Sequence, residues 1–533
     1  MAEFSYDNAI LKKAILEMQD VRSDKTCHLT QVKKERVMTQ EMDHIGIIGA
    51  GSMGLNMSLL FADHDIRVSV FDVSGKNIDQ LHDLLESDEK QRKFVTGYKE
   101  LKDFMNSFKG EKTLLLSLTH GKPVDEVLSK LREYLKKGDT IIDGGNEWYL
   151  ETERRQKEMK DIGVGYIGTG VSGGYQSARR GPSLSPGGDR VAYDKVKHLL
   201  EKIAARDGDA PCVDYVGVGG SGHYVKMVHN GIEQGMLSIT SEAHEIMKSV
   251  LGFSHERIAR TFTEWNSHGP LRNNFLVRIC GEIAARKDDK DKFIVDVIED
   301  RVVQDSDASE GTGVWTVKEA GERHVPCPTI TSAHFLRTAS AHRDDREKIH
   351  EQWKKIRDEP KQTIEAPERI VELLESAVHA GFLASFIQGM NLVAQASIDF
   401  GWKLHLPTIL KVWRNGCIIE AEYINQVLSE AFADQSKGSE PLRHVATSPR
   451  IAQEINDSYS ALRRIVLIAL HQDAHVPALS ASLEYFKYEA SLHLPTAFME
   501  AQLDYFGGHS YDLVSEDNLK IEKGHHHTEW KKP

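Results

Sequence analysis

The segment Gly222–Gln234, GHYVKMVHNGIEQ, carries an amine, an imidazole, an amide and a carboxylate where a buried helix is expected to be apolar. At 3.6 residues per turn, Lys226, His229, Asn230 and Glu233 fall at i, i+3, i+4 and i+7 and share one face. Val225, Met227, Val228 and Ile232 fill the rest of the circumference, and Met236–Val250 continues apolar, so the helix is expected to run through protein. Unpaired polar groups on such a wall cost several kcal/mol. The face is therefore either a site for acid–base chemistry or the wet side of an ordinary amphipathic helix, and the pattern alone weighs the two equally.

The elements that must hold this face follow from the rest of the chain. Its 533 residues are 40% apolar and 28% charged, enough for two or three domains. A net charge of −13 and a pI near 6.0 argue against nucleic-acid or acidic-membrane partners. No apolar run reaches the length of a membrane span, and Glu3, Asp7 and Glu17 leave no signal core, which points to the cytoplasm. Cys27, Cys212, Cys280, Cys327 and Cys417 lack CxxC spacing and read as reduced structural thiols. The run His525–His527 reads as part of a solvated tail rather than a metal site, and no metal is called for.

Residues 1–42 read as a polar extension without recognisable chemistry, with a short apolar pattern at Ile10–Leu16. From residue 43 to about 220, β-rich runs at Ile45–Gly49, Val68–Asp72, Thr113–Leu118 and Thr140–Asp143 alternate with helical patterns such as Val124–Tyr134 and Glu151–Asp161. That alternation predicts βαβ units, hence a Rossmann-type α/β domain with a parallel sheet. Residues 221–500 read as all-α. Gln234–Met236 and Gln388–Met390 repeat QGM there, each followed by a Gly-aromatic pair and a tryptophan, which suggests a duplicated helical unit. Arg343–Lys361 is dense in both charges and reads as an exposed helix or connector. Residues 501–533 read as a tail that lies on something else.

Gly49-Ala50-Gly51-Ser52-Met53-Gly54 is a GxGxxG between a strand and a helix, with Asp72 ending the second strand about 20 residues on. The glycines suit a tight turn, approach to a pyrophosphate and close strand–helix packing, and the helix N-terminus favours the anion. Asp72 suits the ribose hydroxyls and repels a 2′-phosphate. With Val73 and Ser74 after it, NAD is favoured over NADP; Lys76 is the one nearby cation that keeps NADP as an alternative.

Further segments complete the pattern: Asp143-Gly144-Gly145-Asn146, Gly170–Gly174 (VSGG within it), and Gly181–Gly188, GPSLSPGG. Amides around Ser172, Gly173 and Gly174 can form a carboxylate-binding nest. With GAGSMG, DGGN, GHYVKMVHNGIE, EGTGVWT at Glu310–Thr316, WRNGCII at Trp413–Ile419 and DYFGGHSY at Asp504–Tyr511, the chain resembles the 6-phosphogluconate dehydrogenases from His44 to its C-terminus. These are decarboxylating members of the β-hydroxyacid dehydrogenase superfamily. The resemblance implies a Rossmann-type domain, a large helical domain with a duplicated unit, and a tail reaching into the partner of a homodimer. It implies Lys226 as the base for the 3-hydroxyl and later donor to the ketone oxygen, and Glu233 as the acid that protonates the enediol carbon. Burial would lower the lysine pKa and raise the glutamate's. Ser172, Gly173 and Gly174 would hold the carboxylate, and Asn146, His229 and Asn230 the hydroxyls; Asn146 would also border the cofactor.

The departures lie at the two ends of the site. In the family a Tyr, a Lys, two Arg residues, a Thr and a tail His surround the substrate phosphate. Here Thr312, Arg337 and His509 stay, while the tyrosine position is Gln234, the lysine position Glu310, and one arginine position Leu503. Two cations go and one anion arrives; a charge reversal at about 4–6 Å from a phosphate is worth several kcal/mol. The Asn-Arg-Thr of NADP-using members is Asp72-Val73-Ser74, and a lysine near the fourth strand is Thr119. The leading expectation is oxidative decarboxylation of an unphosphorylated 3-hydroxy sugar acid with NAD. The alternatives are authentic 6-phosphogluconate oxidation with Arg179, Arg180 or His509 compensating, and a non-catalytic dinucleotide-binding sensor or scaffold.

Overall fold

The computed structural model describes residues 43–302, 311–353, 364–435, 444–514 and 524–530. The extension at 1–42 and the candidate Glu310 lie outside them.

Seven strands form one sheet in the order β3-β2-β1-β4-β5-β6-β7. Short runs of branched and aliphatic residues build its centre: β1 (His44–Ile48), β2 (Arg67–Phe71), β4 (Thr113–Leu116) and β5 (Thr140–Asp143), nearly all buried. These four match the sequence expectation to within two residues at each end. The strands β3 (Val95–Tyr98), β6 (Gly165–Ser172) and β7 (Ser183–Gly188) complete the sheet. All pairs are parallel except β6–β7, where Thr169 faces Pro186. In such a sheet, ligands bind in the crevice beyond the carboxyl ends of the strands. The loops after β1, β4, β5 and β6 share that edge.

The helical part is organised on two long helices. The first, Ser221–Glu245, carries the polar stripe and ends in a π-turn at Ile246–Val250; the second is Pro367–Asp399. The second is long and apolar enough to cross a membrane, yet most of it is buried, and it is the core helix of this layer. The two pack along each other, and the repeated QGM lies where they cross. A Cβ at Gly235 would come 2.5 Å from Ser385 Oγ, and one at Gly389 would come 2.5 Å from Ile232 Cγ1. Glycine at both positions is what lets the helices approach. Arg343–Gln352 forms an exposed helix with no buried residue, as its charges suggest.

The stripe helix is seated directly on the sheet. A Cβ on Gly222 would lie 2.1 Å from Gly168 O, and one on Gly170 would lie 2.5 Å from Lys226 Cβ. Side chains at 168 and 170 would lift the helix off β6 and carry Lys226 away from the crevice.

The tail is not merely solvated. The helix Thr496–Gly507 buries only Asp504, whose carboxylate accepts from Ser510 N at 3.0 Å, Thr528 N at 3.1 Å and Trp530 Nε1 at 2.7 Å. His527, in the histidine run, pairs with the same carboxylate at 2.8 Å, and His526 bridges to the Tyr511 backbone. The run is solvated, as expected, and it also clasps the tail on itself.

Candidate active site

For simplicity of position, the helices at the site are α1 (Ser52–Asp63), α2 (Lys122–Leu131), α3 (Tyr149–Lys160), α4 (Ser221–Glu245), α5 (Gly311–Glu322) and α6 (Pro328–Ala341).

The three glycines after β1 divide their work. Gly49 has φ +103°, and a Cβ there would meet Ser117 O at 2.2 Å; a Cβ on Gly54 would meet Gly49 O at 1.9 Å. Gly51 faces open space, with nothing within 4 Å of its missing Cβ, and it precedes α1 with no side-chain cap. Uncapped amides beside an open glycine suit a pyrophosphate, so these residues fit a dinucleotide. Gly54→Ala is expected to push the loop into this space and weaken NADH binding by at least about tenfold, read by fluorescence titration. Unchanged affinity would mean the loop does not carry the cofactor.

Asp72 is 9% exposed and braces the same loop. Its Oδ2 accepts from Ala50 N at 2.6 Å and Asn77 Nδ2 at 3.1 Å, and its Oδ1 from Ser74 N at 2.7 Å. These three donors fix the carboxylate at the end of β2, beside the glycine loop. Val73 beside it is exposed, as is Lys76.

At the substrate end, α4 buries Lys226 and His229, while Asn230 and Glu233 are half-buried, which places the stripe at the wall of the crevice. His229 Nδ1 meets Asn230 Oδ1 at 3.0 Å, and Asn230 Nδ2 donates to Thr312 Oγ1 at 3.0 Å. An amide oxygen only accepts, so the network assigns the proton to Nδ1. Burial and the Lys226 ammonium hold the His229 pKa well below its ordinary value, so the ring is neutral. Its Nε2 is buried without a hydrogen-bond partner, an acceptor ready for a hydroxyl. Buried Trp413, from WRNGCII, packs edge-on behind the ring.

Ser172 ends β6, and Gly173 and Gly174 follow it. Both glycines have positive φ, +107° and +68°, which turns successive backbone amides outward, and nothing stands within 4 Å of a Cβ on Gly174. Asn146 is exposed on the loop after β5.

The distal end differs from expectation at Gln234. Its side chain is 6% exposed; Oε1 lies 3.2 Å from His334 Nδ1, and Nε2 lies 2.2 Å from where Gly313 would carry a Cβ. The amide is thus held between α5 and α6. Arg337 is half-buried one turn beyond His334, and Thr312 is buried. His509 is exposed on the tail, its ring edge-on to Phe506, so within one chain it is not joined to the stripe. His334 escaped the sequence reading because nothing in the spacing links it to Gln234, 100 residues earlier.

Comparison with known proteins agrees with this geometry. Residues 44–217 match the NAD binding domain of 6-phosphogluconate dehydrogenase, and residues 222–530 match the 6-phosphogluconate dehydrogenase C-terminal domain. The chain belongs to the 6-phosphogluconate dehydrogenase family. It is 44% identical to a decarboxylating 6-phosphogluconate dehydrogenase of Emericella nidulans over 90% of this chain and 99% of that one. A Shigella flexneri relative of the same name is 36% identical over 91% of this chain and 98% of its own. The solved Plasmodium falciparum 6-phosphogluconate dehydrogenase superposes with a TM-score of 0.82 at 36% identity, covering 91% of this chain and 100% of that one. With the family come the reaction class, oxidation of a CH–OH group with decarboxylation, and a nicotinamide dinucleotide as oxidant.

Proposed function

We propose that this chain oxidatively decarboxylates a 3-hydroxy sugar acid that lacks the terminal phosphate, with NAD as oxidant. The bound nicotinamide supplies the acceptor for the hydride that leaves C3. The rest of the chemistry belongs to side chains. Lys226 removes the 3-hydroxyl proton, and its ammonium then donates to the ketone oxygen as carbon dioxide departs and electrons move toward that carbonyl. Glu233 delivers a proton to the enediol carbon. Neutral His229 accepts a substrate hydroxyl at Nε2, while the Ser172–Gly174 amides hold the carboxylate and Asn146 and Asn230 fix the remaining hydroxyls.

The observation that carries the substrate assignment is Gln234, a neutral amide tied to His334 where the family places a phosphate ligand. Glu310 and Leu503 remove two cations from the same cluster in sequence. The test is reduced-nicotinamide formation with gluconate and with 6-phosphogluconate, each against NAD and NADP. The expected result is a kcat/KM for gluconate with NAD at least about tenfold above that for the phosphorylated acid. The reverse order would overturn the assignment.

A second reading, authentic 6-phosphogluconate oxidation, draws support from the retained Thr312, Arg337 and His509 and from the names of the relatives. It predicts a KM for 6-phosphogluconate that rises with salt, because a phosphate clamp is screened. We also infer a homodimer. The tail helix exposes Phe498 at 74%, Phe506 at 72% and Met499 at 59%, an apolar load suited to cover by a second copy of the chain. The four described cysteines are free thiols, in keeping with action in the cytoplasm.

A further inference from the structure

Arg155 stands in ETERRQKEMK, a run that reads as the solvated face of a helix, yet the residue is 0% exposed. Its guanidinium lies beneath two loops on the ligand edge of the sheet: Ser117–Gly121 after β4, and Gly144–Trp148 after β5. Nη1 donates to Glu147 Oε2 at 2.5 Å, Nη2 to Gly121 O at 3.0 Å, and Nε to Asp125 Oδ1 on α2 at 2.8 Å. Glu147 in turn accepts from Gly121 N at 2.8 Å and Trp148 N at 2.8 Å. Both backbone groups of Gly121 are thus held, the carbonyl by Arg155 and the amide by Glu147. A Cβ on Gly145 would lie 2.8 Å from Leu118 O, so the loops also touch directly.

The same network reaches the helix of Lys226. His223, three residues before Lys226 on α4, donates from Nε2 to the Asp143 carbonyl at 3.1 Å, and its Nδ1 accepts from Thr152 at 2.7 Å. Thr152 lies one turn before Arg155 on α3. Asp143 itself, 4.0 Å from Arg155, accepts from Tyr166 at 2.6 Å. Asn146 is chained to Glu147 on one side and to Asp143 through two glycines on the other. The ties to Glu147 from Arg155, and those of His223 and Tyr166, are buried, the others part-buried, and none of these residues needs to touch substrate.

We propose that Arg155 is a positioning residue that locks the β4 loop and the Asn146 loop into one body, so that nucleotide and substrate are presented to each other in a fixed register. This rests on the reading that Asn146 faces both ligands. A guanidinium meets three acceptors in three directions from one rigid plane, which an ammonium on a flexible stem cannot do. Arg155→Lys keeps the buried positive charge opposite Glu147 and Asp143 while losing the ties to Gly121 and Asp125.

The experiment uses full-length Arg155→Lys and Glu147→Gln beside the wild type. It reads kcat and KM on whichever of gluconate and 6-phosphogluconate the wild type oxidises, together with amide hydrogen exchange. The expected result is a kcat lower by about 10- to 100-fold in both variants, the scale of a small misplacement of reacting groups. Exchange should quicken together in residues 117–121 and 144–148, with the rest of the chain unchanged. A kcat within twofold of wild type, or exchange that quickens only within α3, would overturn the proposal; a purely structural role lowers the melting temperature and leaves kcat alone. Should the wild type oxidise neither acid, the substrate reading fails on its own, and the paired exchange of the two loops still decides the role of Arg155.

Discussion

Lys226→Met is expected to lower kcat by about 10³- to 10⁴-fold while leaving the fold and NADH affinity intact. The upper figure is what a positioned proton-transfer group contributes to catalysis. In the proposed mechanism one side chain serves two steps, as base toward the 3-hydroxyl and as donor to the ketone oxygen. Methionine keeps the unbranched stem that packs over Gly170, so the seat of α4 on β6 is preserved. Lys226 is 7% exposed, and methionine suits a buried wall without bringing a new charge into it. A secondary signature follows at His229. Its pKa is held down by burial and by the Lys226 charge, so removing the ammonium is expected to raise it without making the ring charged at neutral pH, since burial is the larger cause. The measurements are steady-state kinetics, circular dichroism and NADH fluorescence on the same preparation. Activity within tenfold of wild type would reduce Lys226 to a wall-lining amine.

Much of the parallel sheet was legible because its signals are local. β1, β2, β4 and β5 are short buried apolar runs, each readable from its own residues even though β1 pairs with the distant β4, and the GxGxxG turn needs only its own backbone. The stripe on α4 was legible for a related reason: one helix carries all four side chains, so period alone sets their common face. What escaped notice depends on distant partners. Ser183–Gly188, SLSPGG, carries Pro186 and two glycines, which argue against a strand. It becomes β7 because β6 pairs with it on one edge and Val216 N reaches the Pro186 carbonyl at 2.9 Å from another segment. Arg155 reads as surface because its three acceptors come from other elements. Gln234 enters the sequence reading only as what stands at the family's tyrosine position, and its tie to His334 at the crossing of α4, α5 and α6 could not be read from spacing. The proposed catalytic pair could thus be found from one helix, whereas Gln234 and His334 meet only where three helices do.

The pairing Asp72→Asn with Val73→Arg is expected to shift the ratio of NADPH to NADH dissociation constants by about 10²- to 10³-fold toward NADPH. Two effects add. A carboxylate facing a 2′-phosphate at roughly 5 Å repels it by several kcal/mol at an effective dielectric near 20, and neutralising it removes that term. An arginine beside the phosphate then contributes a charge-assisted pair. Each ~1.4 kcal/mol is tenfold in affinity. Position 73 accepts the larger side chain without repacking, since Val73 is 77% exposed. The opposing term is local. Asp72 holds Ala50 N, Ser74 N and Asn77 with two oxygens, and asparagine has one, so one backbone donor on the glycine loop loses its partner. An unmet donor there costs about 1–3 kcal/mol, borne equally by both nucleotides. NADH binding is therefore expected to weaken while NADPH binding improves, and the ratio isolates the charge effect from the loop effect. Fluorescence titration with each reduced nucleotide reads it without any sugar acid. If both dissociation constants rise together and their ratio stays within threefold, Asp72 is a brace for the loop and not the residue that chooses the coenzyme.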